Sequence, residues 1–172
     1  MLISTWARIS EIAEMRRDEI HGNKIVVHGK GDKYRETYLT AKAQLAVNAF
    51  LAKRKDSSPW LFPKGIPFTE MKKDGRTPED LHLWWTDPSC VAPGRRDSGS
   101  LEKTIRRLGV SAGVDKCHPH RFRRTGATMA LRAGMPIIEV SKLLGHESIA
   151  TTQIYLDIED KQLEATHEKY VI

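Results

Sequence analysis

Cysteine is scarce. Cys90 and Cys117 are the only two in 172 residues, too few for a disulfide framework, so the chain reads as a protein of a reducing compartment. Long apolar runs are missing too: nowhere do eighteen apolar residues follow one another, which excludes a spanning helix. The first twenty residues, "MLISTWARISEIAEMRRDEI", lack the basic region and apolar core of a signal peptide. Repeats and low-complexity runs are absent. Cytoplasm, in association with the nucleoid, is the expected setting.

Positive charge is what the chain has in surplus. Lys and Arg number 28 against 22 Asp and Glu, a formal +6 with an isoelectric point near 9.4. An anionic partner follows, with nucleic acid first. The length suits one domain that buries a core without metal or disulfide.

The pattern predicts an α+β chain, mainly helical. Ile3, Ile9, Ile12 and Met15 share part of one helical face, with Ser4 or Thr5 as cap before "ARISEIAEMRRDEI". Two β-prone runs in "NKIVVHGKGDKYRETYLT" flank a Gly-Lys-Gly-Asp reversal and predict a hairpin. Thr40 caps a helix over "AKAQLAVNAFLAKRK" with Leu45, Ala49 and Ala52 on a common side. Residues 56–99, rich in Pro, Gly and charge, resist assignment beyond short elements. Further helices are expected over "SLEKTIRRLGVSAGV", capped by Ser98 or Ser100, over "HRFRRTGATMALRAG", closed by Gly134, and over "PIIEVSKLLGH", opened by Pro136. A polar, helical tail ends the chain.

Three constellations compete for chemistry. Cys117, His118 and His120 hint at metal, but the second half of any zinc motif is missing. The "GKGDK" turn has neither the spacing of a P-loop nor a helix after it. The third is a scatter of cations ending at a tyrosine. Cleaving a phosphodiester with a phenol whose ordinary pKa is about 10 requires loss of that proton. It also requires donors for the phosphorane oxygens and an acid for the departing 5′ oxygen. Arginines, a lysine, histidines and a tyrosine meet that list without metal. Taken one at a time, Arg8 reads as a surface charge, Lys30 as a solvated turn residue, His120 as a helix N-terminal residue satisfied by backbone, and Tyr155 as half-buried packing.

Their order alters that reading. "ARISEIAEMRRDEI", "VVHGKGDKYRETYL" and "HPHRFRRTGATMALRAGMPIIEVSKLLGHESIATTQIYLDI" resemble the catalytic domain of the tyrosine recombinases, the phage-integrase family. The specific part is a His-x-x-Arg, a Leu-Gly-His and a Thr-Thr-x-x-Tyr between His118 and Tyr155. The resemblance implies a catalytic-domain fold with a hairpin or three-stranded antiparallel sheet on one side. It also implies strand cleavage through a 3′-phosphotyrosine, with no cofactor. Arg8 and Arg123 match the two arginines that hold the scissile phosphate, where a planar guanidinium suits paired oxygens. Lys30 matches the lysine that protonates the leaving 5′ hydroxyl, with Lys33 as the near alternative. His120 would take the tyrosine's proton or steady the phosphate, His146 would bond the transition state, and Tyr155 would attack. Glu11 matches an acidic position that braces the site, although a structural salt bridge explains it equally well. Lys33, Arg124, Thr151 and Thr152 are the residues expected to touch DNA.

The implied partners are double-stranded DNA and further copies of the chain, as a tetramer on DNA and a monomer alone. The role expected first is integrase of a phage, transposon or other integrative element, on the flavour of "HRFRRT". A chromosome-dimer resolvase and a non-catalytic DNA-binding relic are the alternatives, and type IB topoisomerase is a more distant one. Two departures stand out. Trp6 occupies a position where relatives carry glycine two residues before the first arginine. Arg8 also comes almost at once, so residues 1–172 are expected to form a single catalytic domain without the N-terminal clamping domain and first helices. Residues 159–172 are expected to be a tail helix that docks on a neighbouring protomer or folds back.

Overall fold

The alternation in "KIVVHG" explains the sheet. In the computed structural model, which describes residues 1–29, 31, 33–64 and 94–155, strand β2 (Lys24–Gly29) buries Ile25 and Val27. It pairs antiparallel with β3 (Lys33–Tyr38) from Gly29↔Lys33 to Lys24↔Tyr38, as the hairpin reading requires. A two-residue strand, β1 (Ile20–His21), pairs with the other edge of β2 and completes a three-stranded antiparallel sheet in the order β1-β2-β3. The tip residues Lys30 and Asp32 lie outside the described residues.

The expected N-terminal helix is broken twice. Helix α1 (Leu2–Thr5) ends at Trp6, whose φ of 50° lies in the left-handed region, and α2 (Ile9–Glu14) starts afresh at Arg8. It stops at Met15 because the chain is drawn into contact with the segment before residue 62. The Leu61 amide donates to the Met15 carbonyl at 2.8 Å, and Arg16 bridges Trp60. Ile12 and Met15 are buried as the helical pattern implies, whereas Ile3 sits on α1 and is exposed.

Helix α3 (Ala41–Lys53) is capped by Thr40, whose hydroxyl accepts from the Ala43 amide. Its buried face is Val47, with Ala43, Phe50 and Leu51 packed beside it. Leu45, Ala49 and Ala52 face solvent instead, so the expected face is displaced around the helix. The segment beyond it is fixed by a fully buried ion pair. Arg54 donates to both Asp56 oxygens and to the carbonyls of Trp60 and Leu61, and the Ser58 amide bonds Asp56 Oδ1. These bonds satisfy both buried charges, which would otherwise be costly.

Asp97, not Ser98 or Ser100, caps α4 (Ser98–Ser111), accepting from the Ser100 amide at 2.8 Å. Among the described residues three helices follow: α5 (Pro119–Arg132), α6 (Ile137–Leu144) and α7 (Ala150–Gln153). Pro136 stands at the N-cap of α6, one place earlier than expected, and Gly134 follows α5 with a φ of 92°. Of the region that resisted assignment, 56–64 and 94–99 are described, and Pro63 bridges Arg95. Residues 65–93 and the tail after Tyr155 lie outside.

Among the described residues, two apolar clusters carry the fold. The larger joins α2, the sheet, α3 and Leu101 of α4 around Ile12, Met15, Ile25, Val27 and Leu61. The smaller joins Trp6 to Ala127, Val140 and Leu144, with Tyr155 packed on its edge. The Trp6 indole fits only because α5 has no side chain at Gly126. A Cβ there would stand 2.1 Å from Trp6 Nε1. Gly126→Ala is therefore expected to destabilise the domain by about 1–3 kcal/mol through overpacking. A lowered urea midpoint with an unchanged slope would show it, and Trp6→Ala in the same chain should relieve part of the loss.

Candidate active site

The smaller cluster supports a buried guanidinium. Arg123, on α5, is 2% exposed, with Nη1 donating to the Trp6 carbonyl and Nη2 to the Leu144 carbonyl at the end of α6. Helix ends leave such carbonyls unpaired and carry partial negative charge, so a cation satisfies both needs. Burial first, then the nearby charges of Arg8 and Arg35, pull the Arg123 pKa down to about 10. It stays charged at neutral pH.

Gly145 ends α6 in the left-handed conformation, φ 63°. The reversal brings the next residue, His146, back over Arg123. Its Nε2 lies 3.2 Å from Arg123 Nη2 and its Nδ1 2.9 Å from Thr152 Oγ1. Because the guanidinium can only donate, Nε2 must be the accepting nitrogen, and Nδ1–H donates to Thr152. Burial, followed by the field of Arg123, Arg8 and Arg35, pushes the His146 pKa down to about 4. The ring is neutral at pH 7, in agreement with that tautomer. Tyr155 follows α7, half-buried, and its ring stacks on His146 with centroids 6.2 Å apart.

Arg8 stands before the first turn of α2. Its amide donates to Glu11 Oε2 at 2.6 Å, and its Nη1 to Glu11 Oε1 at 2.9 Å. The Glu11 side chain is 3% exposed and receives a second arginine, Arg35 of β3. Arg35 Nη1 and Nη2 reach Oε1 and Oε2, both at 2.7 Å, and Arg35 Nε donates to the Leu143 carbonyl at 3.0 Å. Burial pushes the Glu11 pKa up, but the bonds from Arg35 and Arg8 outweigh it and hold the carboxyl below its ordinary value.

Arg8, His120 and Arg123 line one cleft of about 300 Å³. Arg8 also borders a second, of about 630 Å³, with Lys33, Arg35, His146 and Thr151. His120 also borders a third, of about 830 Å³, with Arg124 and Tyr155. The three are linked through Arg8 and His120. Lys33, on the hairpin, pairs with Glu147 across the second cleft at 2.5 Å.

Thr152 departs from expectation. It is fully buried and spends its hydroxyl on His146, so it supports the histidine from inside and does not reach the surface. Thr151 and Arg124 are exposed. Lys30 lies outside the described residues. Arg35 escaped sequence reasoning, although alternation along β3 puts it on the inward face with Thr37, where a charge calls for a partner. Trp6, where relatives carry glycine, packs on the smaller cluster, and its carbonyl accepts from Arg123. Among the described residues no group of three or more His, Cys, Asp or Glu could hold a metal ion, and no helix is long and apolar enough to cross a membrane.

A mainly helical domain bearing a three-stranded antiparallel sheet, with arginines and histidines gathered before a tyrosine, defines the class of tyrosine-recombinase catalytic domains. Residues 1–162 match the phage integrase family, and the chain belongs to it. Tyrosine recombinase XerD of Caulobacter vibrioides is 32% identical over 170 residues, covering 95% of this chain and 49% of the relative. The chain thus spans about half the length of the curated relatives it matches. A crystal structure of XerA recombinase is 28% identical and superposes with a TM-score of 0.71, over 99% of this chain and 56% of that one. The fold is also that of the Tn1549 transposon integrase in complex with circular intermediate DNA, at 18% identity and a TM-score of 0.65, covering 98% and 57%.

The low His146 pKa has a consequence for stability. An unfolded histidine titrates near 6.5, so between pH 6.5 and about 4 the unfolded chain binds a proton that the folded chain refuses. Stability is expected to fall through that window as pH falls, in addition to the later loss from protonating Glu11. Urea unfolding at pH 7 and 4.5 checks this: the drop should be smaller in His146→Gln than in the parent.

Proposed function

We propose that this chain cuts and rejoins DNA at a specific site with Tyr155 as nucleophile. The reading rests on one observation above all: Arg8, His120 and Arg123 border a single cleft that adjoins the cleft of Tyr155. Beside it, Arg8 and Arg35 bond the buried carboxylate of Glu11, and Arg123 feels that carboxylate through space. A surplus of fixed cations in a partly dry site suits the extra negative charge of a phosphorane.

In the reaction, Tyr155 Oη bonds phosphorus as the P–O5′ bond breaks. The phenolic proton passes to His120 or solvent, and Lys30 protonates the departing 5′ oxygen, with Lys33 as its alternative. Arg8 and Arg123 hold the non-bridging oxygens. Glu11 braces Arg8, and Arg124 and Thr151 meet the DNA backbone. A second 5′ hydroxyl reverses the step on a new strand, conserving the phosphodiester energy, so no cofactor is required. His146 begins with its Nε2 lone pair turned to Arg123; an incoming phosphate offsets the arginine field and lets Nε2 take up the proton it then donates. Double-stranded DNA is the substrate, and exchange takes place in a tetramer of the chain.

The integrase role rests on "HRFRRT"; the Xer relatives favour dimer resolution as the second reading. Nicked suicide duplexes carrying either the ends of an integrative element or a chromosomal resolution site would separate the two. With the right duplex, a covalent protein–DNA adduct is expected from the wild type. Tyr155→Phe should reduce it by at least about 10⁴-fold, since the nucleophile is gone. An undiminished adduct in that variant would refute Tyr155, and none from the wild type on any duplex would leave a DNA-binding relic.

A further inference from the structure

The geometry points to Arg35 as a positioning residue that keeps Arg8 open toward the phosphate and fixes the turn carrying His146. This assignment rests on the recombinase reading and extends it to a side chain outside the reacting groups. A carboxylate beside a single arginine takes it fork to fork, with two parallel bonds. Glu11 does form that pair, but with Arg35, through two bonds of 2.7 Å. Arg8 is left with one side-chain bond of 2.9 Å, and its side chain remains 38% exposed. Without Arg35, the two-pronged face of Glu11 is free to draw in Arg8, three residues away on the same turn, and to retract it from the cleft.

The other end of the contact concerns His146. Arg35 Nε donates to the Leu143 carbonyl in the last turn of α6, and its stem lies so close to Gly145 that a Cβ there would be 3.0 Å from Arg35 Cδ. Gly145 directly precedes His146. One side chain from β3 therefore ties the start of α2 to the end of α6, two segments far apart in the chain. At 12% side-chain exposure and with Nε, Nη1 and Nη2 each bonded within the domain, Arg35 is placed to hold other groups more than to grip phosphate.

The rival account is that Arg35 merely neutralises a buried carboxylate. Arg35→Ala alone leaves Glu11 poorly matched and risks unfolding, so the decisive comparison is the parent against Arg35→Lys, which keeps a positive charge beside Glu11 but loses the fork and the Nε bond to the Leu143 carbonyl. Two measurements are made: single-turnover cleavage of the nicked suicide duplex at saturating DNA, and NMR titration of the His146 ring in the DNA-free protein. Around that ring stand Arg123 from α5, Arg8 from the segment before α2, Arg35 from β3, and Thr152 and Tyr155 from α7 and the turn after it.

Arg35→Lys is expected to stay folded and to bind DNA within about threefold of the parent, yet to cleave about tenfold more slowly. Because the charge is kept, a shifted His146 titration reports movement of the turn that carries the ring and not a lost cation. Equal cleavage rates and an unmoved His146 titration would overturn the assignment and leave Arg35 as a counter-ion. Absence of any adduct from the wild type would defeat the recombinase reading instead. The His146 titration would still decide for or against Arg35 in that case.

Discussion

The buried carboxylate of Glu11 is the constraint on which the site depends. An ionised carboxylate so nearly excluded from water is tolerable only when its oxygens are satisfied by charged donors. Glu11 is satisfied from two directions: by the backbone and guanidinium of Arg8, and by the fork of Arg35. One anion thus fixes where α2 begins, where β3 lies against it and, through Arg35 and Leu143, where α6 ends. The sheet is small, but it delivers Arg35 to this point, and that is its chief contribution to the described part of the site.

Trp6 solves a second problem. The left-handed turn between α1 and α2 is a conformation glycine adopts freely, and an L-residue there costs roughly 1–2 kcal/mol. The indole recovers that cost by filling the space over Gly126 and joining the cluster of Ala127, Val140 and Leu144. The same turn presents the Trp6 carbonyl to Arg123. Backbone strain, aromatic packing and support of a buried cation are therefore one device, divided between two residues 120 positions apart in number: Trp6 and Gly126.

Much of this was legible in the sequence, for identifiable reasons. The alternation of β2 and the Thr40 cap are local signals, and both appear in the structure. The first helix ends sooner than its pattern implies because the interruption at Met15 comes from pairing with Trp60 and Leu61, a contact no local pattern announces. The side shared by Leu45, Ala49 and Ala52 faces solvent, and Val47 is the buried residue of α3, because the sheet and α2 pack against the neighbouring face. The residues of the proposed chemistry, with Glu11 as their brace, are legible only through the family resemblance of the motifs that carry them. Two further supports are not. Arg35 and Thr152 look like ordinary polar residues until their partners, 24 and 6 residues away, are known.

The two arginines proposed for the phosphate are not equivalent. Arg123 is immobilised: two of its bonds go to backbone carbonyls and a third reaches His146. It supplies a fixed positive field at no cost in reorganisation when charge develops, which is where preorganised groups are most effective. Arg8 is half-exposed and held by one side-chain bond, so most of its donors stay available for an oxygen that arrives. A site with two Arg123-like groups would hold its charge but grip poorly, and one with two Arg8-like groups would grip but lose rigidity. His146 lies between these roles. Its accepting nitrogen faces the fixed arginine and its donor is spent on Thr152, so it can serve a phosphate only after the field that suppresses its protonation is offset. In the proposed reaction, the anion that creates the need for a donor is the same charge that would make His146 one.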